Sequence, residues 1–388
     1  MGFSMKPIVA VPVSQNAQSE GVYFPALDGL RGTAALVVAL GHAGWRYPGE
    51  WLMPDNYLMV DLFFVLSGFV IASHYSDRIG NWAQARTFMR RRFFRLYPLH
   101  LFYLLVFAGV ELVKFAAQRL YALTPNTPLF STNNGGSFLA HLFFLNGWGF
   151  TDPRSFDGPS WSTSIEFYVC AMFAVLAIFA GRRLKWVTAA GVAAAYVWFL
   201  FTLGVHQGFT AWVGWFRGPV GFSLGLLTFE VFRVLEGHAV TRRGLMFAEI
   251  FAIALFLLFY FKPYMGLRGR YDCIAPFASM LMVLTVALRS KNHVHEFLAG
   301  RMMVGLGTLS YSIYLGHTLI GWFIAQLLRV ALHVKEIPDP DKYHPLLVPS
   351  NALAIAATIS YVLLFLLLSR LTFRYIEAPA RAYARRGK

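Results

Sequence analysis

Residues 27–42 read LDGLRGTAALVVALGH, an apolar stretch with an arginine near its start and a histidine at its end. Arg31 and His42 are 11 residues apart. At 100° per residue they return to one helix face, separated along the axis by roughly 16 Å. An ionisable side chain beside so apolar a run is costly in lipid unless it faces a bundle or an aqueous cavity. The pair is therefore expected to look into one interior space.

Composition agrees with a membrane setting. The 388 residues are 57% hydrophobic and 14% charged, with mean hydropathy +0.52, whereas soluble domains run near a quarter charged. Apolar windows of about 17 to 25 residues predict ten helices: 27–46, 57–75, 97–116, 161–180, 186–204, 211–230, 245–261, 273–289, 304–330 and 350–370. The fold class is all-α and polytopic, with about ten transmembrane helices around an interior polar cavity. With both termini placed in the cytoplasm, 22 of the 34 Lys and Arg fall in cytoplasmic segments, which fits the positive-inside rule. The net charge of +15 then reads as topology signal and contact with anionic membrane lipid, not as nucleic-acid binding. One outer loop, with Lys262, Arg268 and Arg270, runs against the rule, so either those spans are misplaced or the loop meets something anionic. Cys170 and Cys273 both lie in apolar runs, which predicts neither a disulfide framework nor a metal-binding cysteine pair. No secretory signal is apparent, and no metal site is expected. Residues 138–148 are apolar but too short to span, and read as re-entrant or interfacial.

Several polar residues stand inside this apolar frame. Asp61, in DLFFVLSGFVIASHY, reads either as an interfacial acid or as one that orients a histidine. Ser67–Gly68 reads as a close helix-packing site rather than a nucleophile. Arg90, Arg91, Arg92 and Arg95 occupy a segment read as a cytoplasmic loop, with Pro98 in the first turn of the following helix. Singly they satisfy the positive-inside rule; together they form a multi-point phosphate grip. Ser160 or Ser162 is placed to cap the helix at Trp161, which itself fits an interfacial aromatic belt. Glu166 lies about a turn inside the membrane boundary, where a carboxylate needs a partner or a task. In GWFRGPVGFSLG, Pro219 and its flanking glycines predict a broken or kinked helix around Arg217. That arginine's target is an acceptor, a carboxylate such as Glu166, or a developing oxyanion. Tyr311, Tyr314 and His317 recur along one side of a helix, as packing or as a polar cavity wall. Glu377, next to Arg374 in FRYIEAP, reads as a cavity residue or as half of a surface ion pair.

LDGLRGTAALVVALGH, FFVLSGFVI, RRFFRLYP, PSWSTSIEFY, LSYSIYLGH and FRYIEAP together resemble, in order, the membrane-bound acyltransferase family 3. The resemblance covers Leu27 to about Ala380. It implies a cytoplasmic tail over 1–26, a transmembrane acyltransferase domain over 27–380 and a basic cytoplasmic tail over 381–388. The implied reaction is transfer of an acyl group, most often acetyl, from cytoplasmic acyl-CoA to a hydroxyl of a carbohydrate or glycolipid, in a bacterial inner membrane. It also implies functional importance for Arg31 and His42, donor handling by Arg92 and Arg95, and importance of Asp61, Ser67, Gly68 and Trp161.

On this reading Arg31 and Arg90–Arg95 hold the CoA phosphates, and His42, with an ordinary pKa near 6.5, serves as general base. Arg217 or a helix-end amide stabilises the oxyanion, and an acyl-histidine at His42 is the covalent variant. A transporter or flippase for an anionic or lipid-linked substrate is the rival class, since intramembrane acids and histidines serve such proteins too. Consumption of acyl-CoA separates the two.

Overall fold

The computed structural model describes residues 23–121, 128–152, 154–202, 214–236, 242–267, 272–288, 292–338 and 345–386. A helix occupies each of the ten predicted positions: α1 (Pro25–Gly41), α2 (Leu58–Tyr75), α3 (Trp82–Tyr121), α5 (Trp161–Ala180), α6 (Leu184–Thr202), α7 (Gly214–Glu236), α8 (Arg242–Phe261), α9 (Ala275–Ala287), α11 (Arg301–Gln326) and α12 (Asn351–Thr372). The short helices α4 (Gly135–Leu142), α10 (His293–Leu298) and α13 (Ala378–Arg386) complete the set. A two-residue antiparallel pair, Glu336–Ile337 with Leu346–Leu347, is the sheet among the described residues. Seven helical stretches there are long and apolar enough to cross a membrane, one of which, Gly158–Phe199, holds both α5 and α6. The chain is thus an all-α polytopic membrane protein.

Two of the predicted boundaries change. The arginine segment is not a loop: α3 runs unbroken for 40 residues and carries Pro98 in its interior. A proline removes only its own N–H from the ladder, so one helical bond is lost, and the bonds on either side carry the helix through. Likewise α7 is one continuous helix through Pro219, not a broken one. Its glycines serve contact instead: a Cβ at Gly225 would fall 2.1 Å from the Val65 carbonyl, and one at Gly68 would fall 2.0 Å from that of Phe222. Backbones this close hold α2 against α7, the small-residue packing that membrane helices favour.

The other tight seam joins α1 to α11. A Cβ at Gly307 would fall 2.1 Å from the Asp28 carbonyl, and one at Gly32 would fall 2.6 Å from the Gly307 nitrogen. The start of α1 also abuts α10, where Gly29 faces the Leu298 carbonyl. Beyond α1, Trp45 is fully buried and donates to Thr358 Oγ1 at 3.0 Å. Between Asn134 and Ser137 a reciprocal cap starts α4, a helix of eight residues and so far short of spanning. Lys262 resolves the charge anomaly of its loop: it is buried and paired with Asp55 and Asp272. Arg268 and Arg270 lie outside the described residues.

Candidate active site

At one end of the bundle the N-terminal turns of α1 meet the first half of α3. Arg31 Nη1 sits 2.8 Å from Asp28 Oδ1, one turn earlier on its own helix. The charged neighbours of Arg31 beyond Asp28 are Arg95, Glu166 and Arg92, so three separate sequence motifs converge here. Glu166, on α5, accepts from Ser67 Oγ of α2 at 2.8 Å. Arg91 Nη1 reaches Tyr75 Oη at 3.3 Å, and Arg92 lies over the Phe88 ring at 5.5 Å. Arg90 donates to the Tyr383 carbonyl at 3.4 Å. Neither Arg92 nor Arg95 has an ion-pair partner among the described residues.

The same end contains Glu377, and beside it a residue that the sequence reading missed, Arg381. Glu377 does not pair with Arg374 at the surface; it is 1% exposed. Its Oε2 accepts from Ser312 Oγ of α11 at 2.8 Å, and its Oε1 pairs with Arg381 of α13. Arg381 had been assigned to a basic tail. The signal was present in the spacing, since Glu377 and Arg381 stand four apart, although Pro379 lies between them. The chain accommodates that proline with a wider π turn over Phe373–Glu377 and then resumes as α13.

Toward the opposite end of α1, His42 follows its last turn. The His42 Nδ1 lies 2.8 Å from the Val38 carbonyl. A carbonyl only accepts, so Nδ1 carries the proton and the lone pair of the neutral ring sits on Nε2. His42 is exposed and packs edge-on against His317 of α11, ring centroids 5.1 Å apart. His317 is fully buried, with Nδ1 held by the Ile313 carbonyl at 3.1 Å. The tyrosines of its helix are anchors: Tyr311 donates to the Leu96 carbonyl at 2.7 Å. Tyr314 donates to the Pro159 carbonyl at 3.0 Å and contacts Ser162 Oγ at 2.8 Å.

Asp61 and Arg217 find each other rather than a histidine or Glu166. Arg217 Nε lies 3.0 Å from Asp61 Oδ1 and Nη2 lies 2.9 Å from Oδ2, a bidentate pair at 0–1% exposure. The guanidinium also donates to the Tyr57 carbonyl at 2.9 Å and lies over the rings of Tyr57 and Trp161. Trp161 is therefore an interior packing residue, 7% exposed, not part of an interfacial belt. Ser160 and Ser162 do not cap its helix; their hydroxyls donate to the Asp157 and Pro159 carbonyls. Asp157 itself, just ahead of α5, accepts from Thr318 Oγ1 at 2.8 Å, and burial pushes its carboxyl up to about 8.

The site thus has an arginine group at the start of α1 and an imidazole just past its end, on an all-α membrane scaffold. The family model described as an acyltransferase domain, Acyl_transf_3, matches residues 24–372. The chain belongs to the acyltransferase 3 family. This acyltransferase 3 member is similar to the acyltransferase MdmB of Streptomyces mycarofaciens, with 28% identity over 330 residues, covering 77% of this chain and 79% of the relative. No solved structure matches it. It is an acyltransferase, and with its apolar helices a multi-pass membrane enzyme. Arg381 lies beyond the matched span.

Proposed function

We propose that this acyltransferase moves an acyl group, acetyl in the first instance, from cytoplasmic acyl-CoA to a hydroxyl of a carbohydrate or glycolipid at the outer side of a bacterial inner membrane. The observation that carries this reading is the polarity of α1. Arg31 gathers with Arg92 and Arg95 at one end, and His42 stands exposed with its Nδ1 committed to Val38 at the other. Arginine forks at the cytoplasmic mouth grip the CoA phosphates, with Arg90 and Arg91 on the same helix adding to the field. The pantetheine arm then reaches along α1 from Arg31 toward His42, a rise of roughly 16 Å.

At the far end His42 Nε2 removes the proton of the acceptor hydroxyl as its oxygen bonds to the thioester carbonyl carbon. Collapse of the tetrahedral species breaks the C–S bond, and the imidazolium returns the proton to the CoA thiolate. The proton that leaves the hydroxyl ends on the thiol, so the step balances. His317, Tyr311 and Tyr314 line the α11 side of this path, and Ser67, Gly68 and Trp161 set the spacing of α2, α5 and α7. The Arg217 guanidinium is committed to Asp61 and Tyr57, so its part is to fix α2 against α7. A helix-end amide then serves the oxyanion.

Acetyl-CoA turnover by purified protein in nanodiscs, read as free thiol, tests the reading. His42→Ala should lose about 10²–10⁴-fold in kcat at unchanged thermal stability, and Arg31→Ala should raise the donor KM. Wild-type protein that leaves acetyl-CoA and succinyl-CoA untouched in the presence of cell-envelope glycans would overturn the assignment of donor.

A further inference from the structure

Arg381 is carried on α13, which lies along the arginine-bearing half of α3: Arg90 donates to the Tyr383 carbonyl, and the Phe94 and Tyr383 rings meet at 5.0 Å. Its one carboxylate neighbour is Glu377, whereas Arg95, Arg31 and Arg92 all lie within its electrostatic reach. Four guanidinium groups from three helices therefore face three carboxylates, Asp28, Glu166 and Glu377. Two of the four, Arg92 and Arg95, have no ion pair among the described residues. The Arg381 Nε is buried there without a hydrogen-bond partner.

Like charges gathered in a partly buried site repel, and a buried unpaired donor costs free energy. A protein keeps such an arrangement when a ligand supplies the missing negative charge. The bidentate fork of arginine matches phosphate oxygens in particular. We propose that Arg381 is a phosphate-binding residue of the donor site, brought there by the C-terminal helix, so that α13 forms one wall of the pocket for the nucleotide phosphates of acyl-CoA. The proposal rests on the acyl-CoA reading above. The π turn before α13 contributes by fixing where Glu377, and with it Arg381, points; Ser312 of α11 holds the other oxygen of that carboxylate. Phosphate esters also occur on lipid headgroups, and the two sources are separable.

The test uses full-length protein in nanodiscs of phosphatidylcholine alone. Arg381→Ala should raise the KM for acetyl-CoA about tenfold with kcat within about twofold, and exposed Arg385→Ala should change neither. Because Arg381→Ala strands Glu377, the Arg381→Ala/Glu377→Gln double variant is the decisive form. If Arg381 binds donor, KM stays raised in the double variant; a return to the wild-type KM would mean that it only neutralises Glu377, and would overturn the proposal. Binding of adenosine 3′,5′-bisphosphate by calorimetry gives a second readout, and should weaken about tenfold in the double variant. If binding is unchanged in phosphatidylcholine and the variants differ only in phosphatidylglycerol nanodiscs, the residue is a lipid anchor and the proposal falls. Wild-type protein that binds the bisphosphate but turns over no acyl-CoA would sink the donor reading and leave the phosphate site standing.

Discussion

The two ends of the bundle hold buried charge in opposite ways. Around Arg217 and Lys262, two cations meet three carboxylates, Asp55, Asp61 and Asp272. Each cation is ion-paired within the protein, and Tyr57 bonds to Asp272 as well as to Arg217. Around Arg381, guanidinium groups outnumber carboxylates and two lack an ion pair. A closed network holds helices in place, and removing any member exposes the rest. An open one has its vacancy in charge rather than in shape, and is available to an anion.

The contrast sets the order of effects. Asp61→Ala should be the most damaging change to stability, because it strands a buried guanidinium; breaking such a pair costs about 3–5 kcal/mol. Thermal unfolding in detergent reads this, and the matched Asp61→Leu/Arg217→Met variant should recover most of it. Should Asp61→Ala prove benign, the closed network is not a fastening. Next comes Asp157, whose folded-state carboxyl is raised to about 8 by burial. A raised acid stabilises the fold while it is protonated, so the contribution is complete below about 4 and is lost as pH climbs through 8. Unfolding temperature should therefore fall between pH 5 and 8.5, and Asp157→Asn should flatten the slope. Arg92→Ala belongs to the open end, and should move stability by less than about 1 kcal/mol while raising donor KM several-fold. A large loss of stability instead would show that this end, too, is closed. Smallest is Arg46→Ala, which removes a surface pair with Glu50 at 3.2 Å and should cost under about 0.5 kcal/mol after screening by solvent.

Much of this was legible in the sequence. Apolar windows located the helices closely, α5 to the residue, because lipid demands long runs with satisfied backbones. Arg31 was grouped with Arg92 and Arg95 from the sequence, whereas Glu166 was paired with Arg217 and instead neighbours Arg31. Errors came where a local rule met a long-range contact. Pro98 read as a helix start and Pro219 as a break or kink, but a helix packed on several sides tolerates one missing bond. Asp61 and Arg217 are 156 residues apart, and nothing local couples them. Glu377 looked superficial because its partner Ser312 lies on a different helix, 65 residues earlier.

The α1–α11 seam has a further consequence, in the timing of biosynthesis. The helix that packs most closely on α1 begins at Arg301, some 260 residues after α1 ends at Gly41. At about 5–20 residues per second, the nascent first helix waits roughly 13 to 50 s before its partner has been made. During that interval the face of α1 that meets α11 has no cover, and until α5 is made Arg31 has no carboxylate from another helix. Asp28, one turn away on the same helix, gives it a counter-ion from the moment the turn forms, so the pair lets a charged helix wait until the last quarter of the chain arrives.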